Sequence, residues 1–304
     1  METTTCIAEN LPGTTPVVRP PSRLEASLTL DFELDKATKR TVLAASHQEP
    51  PLKVVRAFPV DNGAALVHLH NVSGGLLGGD RLALTVRVGA GACVQITTTG
   101  ATRVYRPREE APPTMQSNEI TVGENALLEY VPDPIIPFAG ARFSQRTAIQ
   151  LDRSAGLFWW EILAPGREAR GEIFEYERLE IRTDLLATGR PIAAERAQLE
   201  PRNRALSSLA RLGPYRTWAT FYICRVGLDA NAWLAAEQDL REVTSSLTRP
   251  GRTLWGISAL VAHGLAIRCV SLHGRDVLPG LRALWRAAKL RLFDRDAVPP
   301  RKVN

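Results

Sequence analysis

Six carboxylates of this 304-residue chain stand in or beside runs of apolar residues: Asp80, Glu129, Asp133, Glu161, Glu172 and Glu195. Glu161 is the extreme case, following Phe158-Trp159-Trp160 and preceding Ile162-Leu163. A charge in such company either pairs with a cation or lines a wet cavity, because an unpaired ion in an apolar interior is costly. Pairing with one of the many arginines is the plain outcome. Two carboxylates brought together would instead supply the acid and base of a glycosidase, a chemistry that depends on a separation the sequence does not fix.

Other reactive groups offer less. His68-Leu69-His70 places two imidazoles on one face of a strand, yet no third ligand follows nearby, so a closed metal site is not expected. There is no H-E-x-x-H, no G-x-S-x-G and no C-x-x-C. The four cysteines, Cys6, Cys93, Cys224 and Cys269, are far apart, and the last three sit among apolar neighbours as packing residues do. The run Ser73-Gly74-Gly75-Leu76-Leu77-Gly78-Gly79-Asp80 lacks the lysine of a phosphate-binding loop and is followed by a strand-like segment rather than a helix. Its glycines mark a sharp turn or a close approach of another chain segment, with Asp80 at the end of that turn.

Composition sets the class but not the chemistry. Apolar residues make up 44% and charged residues 23%, as in an ordinary globular protein. No apolar run reaches the roughly 18 residues of a membrane helix, and the N-terminal residues lack the apolar core of a secretory signal, so a reducing cytoplasm is expected. Of 38 basic residues only five are lysine, and the net charge is +6. The arginines are dispersed rather than clustered into an arm, which argues against nucleic acid as partner.

The elements that must position these groups are mainly β. Residues 1–23 read as a Thr/Pro-rich arm, 24–295 as one β domain and 296–304 as a tail. From Leu28, Leu30, Phe32 and Leu34 onward, period-two alternation recurs, and no helical period persists before about residue 229. A degenerate repeat runs through Val86–Ile96, Ile120–Tyr130 and Ile149–Trp160: an alternating strand, a turn rich in Gly, Asn, Asp or Ser, and a second apolar strand. This spacing of about 30 residues fits stacked supersecondary units, solenoid-like β layers, or else ordinary hairpins in a sandwich. Two helices close the chain, one capped by Asp229 and one carrying the stripe Leu281, Leu284, Trp285, Ala288 and Leu292.

Four ordered segments carry a resemblance. His68 to Asp80 resembles the signature of the UreD (UreH) family of urease accessory proteins. Ile96 to Arg106 is similar to that family's T-T-P-G-A-[ST]-K-x-Y-R block, Leu128 to Ala141 to its L-E-W-L-P-x-P-x-I-P-F-x-G-A block, and Gly166 to Glu172 to its G-R-x-x-x-G-E segment. Val72 and Thr99 stand where prolines are usual, and Arg81 where an acidic residue is common. The resemblance marks Gly74, Gly75, Gly78, Gly79, Gly100, Arg103, Pro137, Gly140 and Arg167 as framework positions.

The resemblance implies a cytoplasmic chaperone without catalytic residues, which joins UreF and the GTP-hydrolysing UreG on the urease apoprotein and assembles dimerically through those partners. It also implies nickel in transit through an internal passage, with no tightly bound cofactor. A passage needs oxygen ligands that hold the ion weakly, since His/Cys coordination would trap it. Asp80, Glu161 and Glu195 are the expected path, with Glu129 and Glu172 in reserve. A β-solenoid enzyme using paired carboxylates and a β-rich adaptor of another assembly are the competing readings.

Overall fold

Alternation at Leu28, Leu30 and Phe32 puts all three side chains on one fully buried strand face, and the same pattern sets most of the following elements. The computed structural model describes residues 24–108 and 111–300; the expected arm, 1–23, and residues 301–304 of the tail lie outside them. In chain order the elements are β1 (Glu25–Asp35), β2 (Arg40–Gln48), β3 (Leu52–Lys53), β4 (Phe58–Pro59), β5 (Ala65–Asn71), β6 (Arg81–Val88), β7 (Cys93–Thr98), β8 (Thr102–Val104), β9 (Thr114–Val122), β10 (Leu127–Tyr130), β11 (Ile135–Pro137), β12 (Arg142–Leu151), β13 (Gly156–Leu163), β14 (Arg178–Ala187), β15 (Arg190–Leu199), β16 (Thr217–Arg225), α1 (Ala230–Leu247), β17 (Thr253–Ala259), β18 (Gly264–Ser271) and α2 (Val277–Phe293).

The strands form two sheets. The first has seven strands in the order β15-β14-β12-β9-β6-β1-β2, and the second follows β17-β18-β16-β13-β10-β7-β5-β3, with β4, β8 and β11 attached beside it. The repeat is a stack of arches, not hairpins. In each copy the first strand (β6, β9, β12) joins the first sheet and the second (β7, β10, β13) crosses to the second sheet. Equivalent strands then pair in parallel, as β6 with β9, β9 with β12, β7 with β10 and β10 with β13. The turns stack as well. Ala92, Ala126 and Ala155 each donate a backbone N–H to the residue three before, at 3.1 Å, and Gly91, Asn125 and Ser154 hold the matching positive φ. Residues other than glycine and asparagine pay for that conformation in steric strain.

Three apolar clusters fill the layers. One, with Leu84, Ile120, Ile149, Leu185 and Trp159, lies between the sheets toward the arch turns. A smaller one, with Leu82, Phe143, Ile181 and Leu163, lies between them at the other end of the strands. The third joins the outer face of the second sheet to α1 and α2 through Phe158, Trp160, Phe221, Trp233 and Trp285. Asp229 caps α1 by accepting the Ala232 N–H at 2.8 Å, and the α2 stripe buries Leu281, Leu284, Trp285, Ala288 and Leu292. Among the described residues no helix is long and apolar enough to cross a membrane.

Candidate functional site

The two inter-sheet clusters are separated by polar residues at inward positions. Strand β12 turns Phe143, Gln145, Thr147, Ile149 and Leu151 inward, so its apolar alternation is broken by an amide and a hydroxyl. In β14 Thr183 breaks the series Leu179, Ile181, Leu185, and in β9 Asn118 precedes Ile120 and Val122. Sheet register aligns these breaks: Asn118 pairs with Thr147, Thr147 with Thr183, and Thr183 with Glu195. Opposite them in the second sheet, Glu161 pairs with Thr220 and Thr220 with Arg268. Asn118, Gln145, Thr147, Thr183 and Thr220 are each at most 6% exposed.

Hydrogen bonds cross between the sheets in both directions. Glu161, on the second sheet, accepts from Gln145 Nε2 and, at 3.3 Å, from Thr183 Oγ1 of the first. Glu195, on the first, accepts from Thr220 Oγ1 at 3.2 Å and from the Tyr222 hydroxyl of the second. Arg268 stands 3.7 Å from the same Glu195 carboxylate and is largely exposed, so the belt reaches solvent where β15, the edge strand of the first sheet, faces Arg268 of β18. On the other side it continues inward through Asn118, which donates to Thr147 at 3.0 Å and accepts from Gln116 at 3.1 Å. The belt ends against Leu84, the β6 residue paired with Asn118.

Burial pushes the Glu161 carboxyl up to about 7, with the negative charge of Glu195 acting in the same direction. Gln145 and Thr183 oppose the shift by stabilising the ionised form. Burial also raises the Tyr222 phenol, which therefore stays a proton donor to Glu195. The belt thus holds two carboxylates, Glu161 among neutral donors and Glu195 with Arg268 at its solvent side, and the first of them exchanges its proton near neutrality.

The other expected path residues go elsewhere. Asp80 is buried at the end of the glycine turn, where its carboxylate accepts the Leu77 N–H at 2.8 Å and is raised above its usual range by burial. Glu129 faces the opposite side of the second sheet. It accepts from Lys289 Nζ and Trp285 Nε1, each at 2.7 Å, and so ties α2 to the sheet. Burial raises its carboxyl in spite of the Lys289 charge. Glu172 accepts from Arg167 Nε and Nη2 and from the Ala139 N–H, which holds it below the usual carboxylate range. Asp133 exchanges hydrogen bonds with Thr98. Only Glu161 and Glu195 share a site. Among the described residues no three His, Cys, Asp or Glu side chains converge as a metal cage. His68 lies edge-on to Phe58 at 5.9 Å, and burial pushes the Cys224 and Cys269 thiols up to about 12.

The framework glycines have specific neighbours. The loop after β5 runs beside β8, with Leu76 donating to Arg103 O at 2.8 Å and accepting from the Tyr105 N–H at 2.9 Å. A Cβ at Gly75 would run into the Tyr105 ring and one at Gly78 into Pro107, so both positions exclude side chains by contact. Gly140 has positive φ and packs on Arg106, while Pro137 ends β11 beside Val104. Gly100 faces open space with ordinary φ, and the structure imposes no such exclusion there. Sequence reasoning overlooked Asn118, Gln145, Thr147, Thr183, Thr220 and Tyr222. The available signal was a polar residue two places before the paired apolar positions in the second and third copies, Asn118 before Ile120 and Thr147 before Ile149.

Comparison with known proteins agrees with the resemblance. The family model described as UreD urease accessory protein matches residues 24–304. The chain is 46% identical over 281 residues to the urease accessory protein UreD of Herpetosiphon aurantiacus, covering 92% of this chain and 97% of that one. It is 31% identical over 296 residues to UreD of Pseudomonas fluorescens, with 97% and 99% coverage, and 33% identical over 270 residues to UreD of Opitutus terrae, with 88% and 95%.

Proposed function

Because this chain belongs to the UreD family of urease accessory proteins, we propose that it is a non-catalytic scaffold of urease maturation in the cytoplasm. In this reading it joins UreF and UreG on the urease apoprotein, in an assembly made dimeric by those partners, and passes nickel toward the urease active site. The relatives named above carry the accessory role in their names. The observation that supports transit is the belt of amides, hydroxyls and the two carboxylates Glu161 and Glu195 between two apolar clusters. Oxygen donors from two carboxylates and neighbouring hydroxyls bind a divalent ion without the affinity of a His/Cys cage, so the ion can leave again. Loss of the Glu161 proton increases the negative charge that attracts the ion, and binding of the ion expels that proton.

The same carboxylate pair also favours a second reading, an acid and base pair of the glycosidase kind, since one carboxyl is raised to about 7 beside another. The pair lies between two packed sheets, bonded to side chains of both, where a polysaccharide has no room to enter. The deciding experiment is co-expression of the Glu161→Gln/Glu195→Gln variant with UreF, UreG and urease. The transit reading expects the accessory complex to co-purify as with the unaltered chain while the nickel content of urease falls severalfold. Full nickel loading by the variant refutes it, and turnover of a glycoside by the purified chain alone establishes the enzyme reading.

A further inference from the structure

A second region gathers charge where the interior belt does not reach. Strands β8 and β11 pair in parallel, Ile135 with Thr102 and Ile136 with Arg103, and the chain leaving β11 presents Phe138. On one side of this ridge lies a cleft of about 670 Å³ floored by Pro134, Ile136, Phe138, Ala164 and Pro165. On the other lies a cleft of about 570 Å³ rimmed by Arg106, Arg108, Arg142 and Arg202. Seven arginines and three glutamates line the two clefts together.

The ridge is held rigidly. Tyr105 meets the Phe138 ring edge-on at 4.8 Å, the Arg167 guanidinium covers that ring at 4.2 Å, and Glu172 fixes Arg167 from behind. Of the glutamates, Glu168 is engaged by Arg216 at 3.0 Å and Glu177 lies 3.8 Å from Arg142. Arg103, Arg106, Arg170 and Arg202 are exposed and have no ion pair among the described residues. Like charges gathered on a rigid apolar ridge repel one another until an anionic partner covers them.

We propose that this face is the docking site for an acidic segment of a partner protein, whose apolar side chains enter the Ile136–Phe138 trough and whose carboxylates engage Arg103, Arg106 and Arg170. Guanidinium forks match carboxylates bidentately, and the apolar floor calls for side chains that a free anion does not have. Nucleic acid is the poorer fit, because the Phe138 ring is met edge-on by Tyr105 and its face is covered by Arg167, where a base would have to stack. The source of the segment rests on the scaffold reading above: it belongs to one of the maturation proteins.

The test uses the full chain and a fluorescein-labelled twelve-residue peptide, Glu-Glu-Leu repeated four times, measured by fluorescence anisotropy. Single-stranded DNA of twelve nucleotides and a Lys-Lys-Leu peptide serve as alternative probes. The Arg103→Ala/Arg106→Ala/Arg170→Ala variant should bind the acidic peptide about tenfold or more weakly. The Arg146→Ala/Arg182→Ala variant removes two exposed arginines paired across the outer face of the first sheet and should leave binding unchanged. Binding should fall with salt and should be absent for the lysine peptide. Equal binding by the triple variant, tighter binding of the DNA to the same arginines, or no binding of the acidic peptide overturns the proposal. Co-purification separates the two readings. If the triple variant recruits the maturation proteins as the unaltered chain does, the docking site is refuted and the scaffold stands. If the unaltered chain recruits none of them yet binds the peptide through these arginines, the scaffold reading falls and the site stands.

Discussion

Replacing Glu161 by glutamine keeps the shape of the side chain and an oxygen for Gln145 to bond, and removes the one carboxyl of the belt whose proton is lost near neutrality. In the folded protein that carboxyl titrates at about 7, against 4.5 in an unperturbed chain. Between these two values the native state holds a proton that the unfolded state has released, so stability falls as pH rises from about 4.5 to about 7 and stays low above that. The difference corresponds to about 3 kcal/mol at pH 8. Glu161→Gln should therefore match the unaltered protein near pH 4 and exceed it by about 3 kcal/mol at pH 8, several degrees in Tm. Urea denaturation at half-unit steps from pH 4 to 8.5 measures the gap directly. Added nickel should close part of it at pH 8 by stabilising the unaltered protein, with no effect on the variant. A gap that does not change with pH, or a variant less stable throughout, would refute both the buried position of the charge and the competition between proton and cation.

Three further outcomes follow from the packing. Lys289→Met leaves Glu129 without its cation beneath α2 and should cost about 3 to 5 kcal/mol, whereas Glu129→Leu/Lys289→Met should recover most of that loss in a denaturation cycle. Gly78→Ala should destabilise by about 1 to 3 kcal/mol because its Cβ meets Pro107, while Gly100→Ala, facing open space, should be neutral or gain a few tenths; paired thermal melts distinguish them. Gly280→Ala should likewise loosen α2, since its Cβ meets the Trp255 ring, and its melting should track a change in tryptophan fluorescence.

The outline of the β framework was legible because its signals are local. Period two at Leu28, Leu30 and Phe32 fixes a strand face whatever the strand pairs with, and the turn residues at Gly91, Asn125 and Ser154 supply the positive φ that each connection needs. Asp229 and the Leu281–Leu292 stripe marked both helices for the same reason. The spacing of the repeat favoured stacked units over hairpins without excluding the latter, since both use the same strand–turn–strand pattern and differ only in whether the second strand stays in its sheet.

Site assignment divides along the same line. Composition and spacing determined which residues are charged amid apolar neighbours, and so placed Glu129, Glu161 and Glu195 under suspicion together. Tertiary structure alone decided that Lys289, 160 residues away in sequence, neutralises Glu129, and that Glu161 and Glu195 meet across two sheets. It also decided that Asn118, Thr147 and Thr183 form one row. A buried charge takes its character from what surrounds it in space, and in a stack of parallel arches those surroundings come from strands distant in sequence, joined by register rather than by local preference.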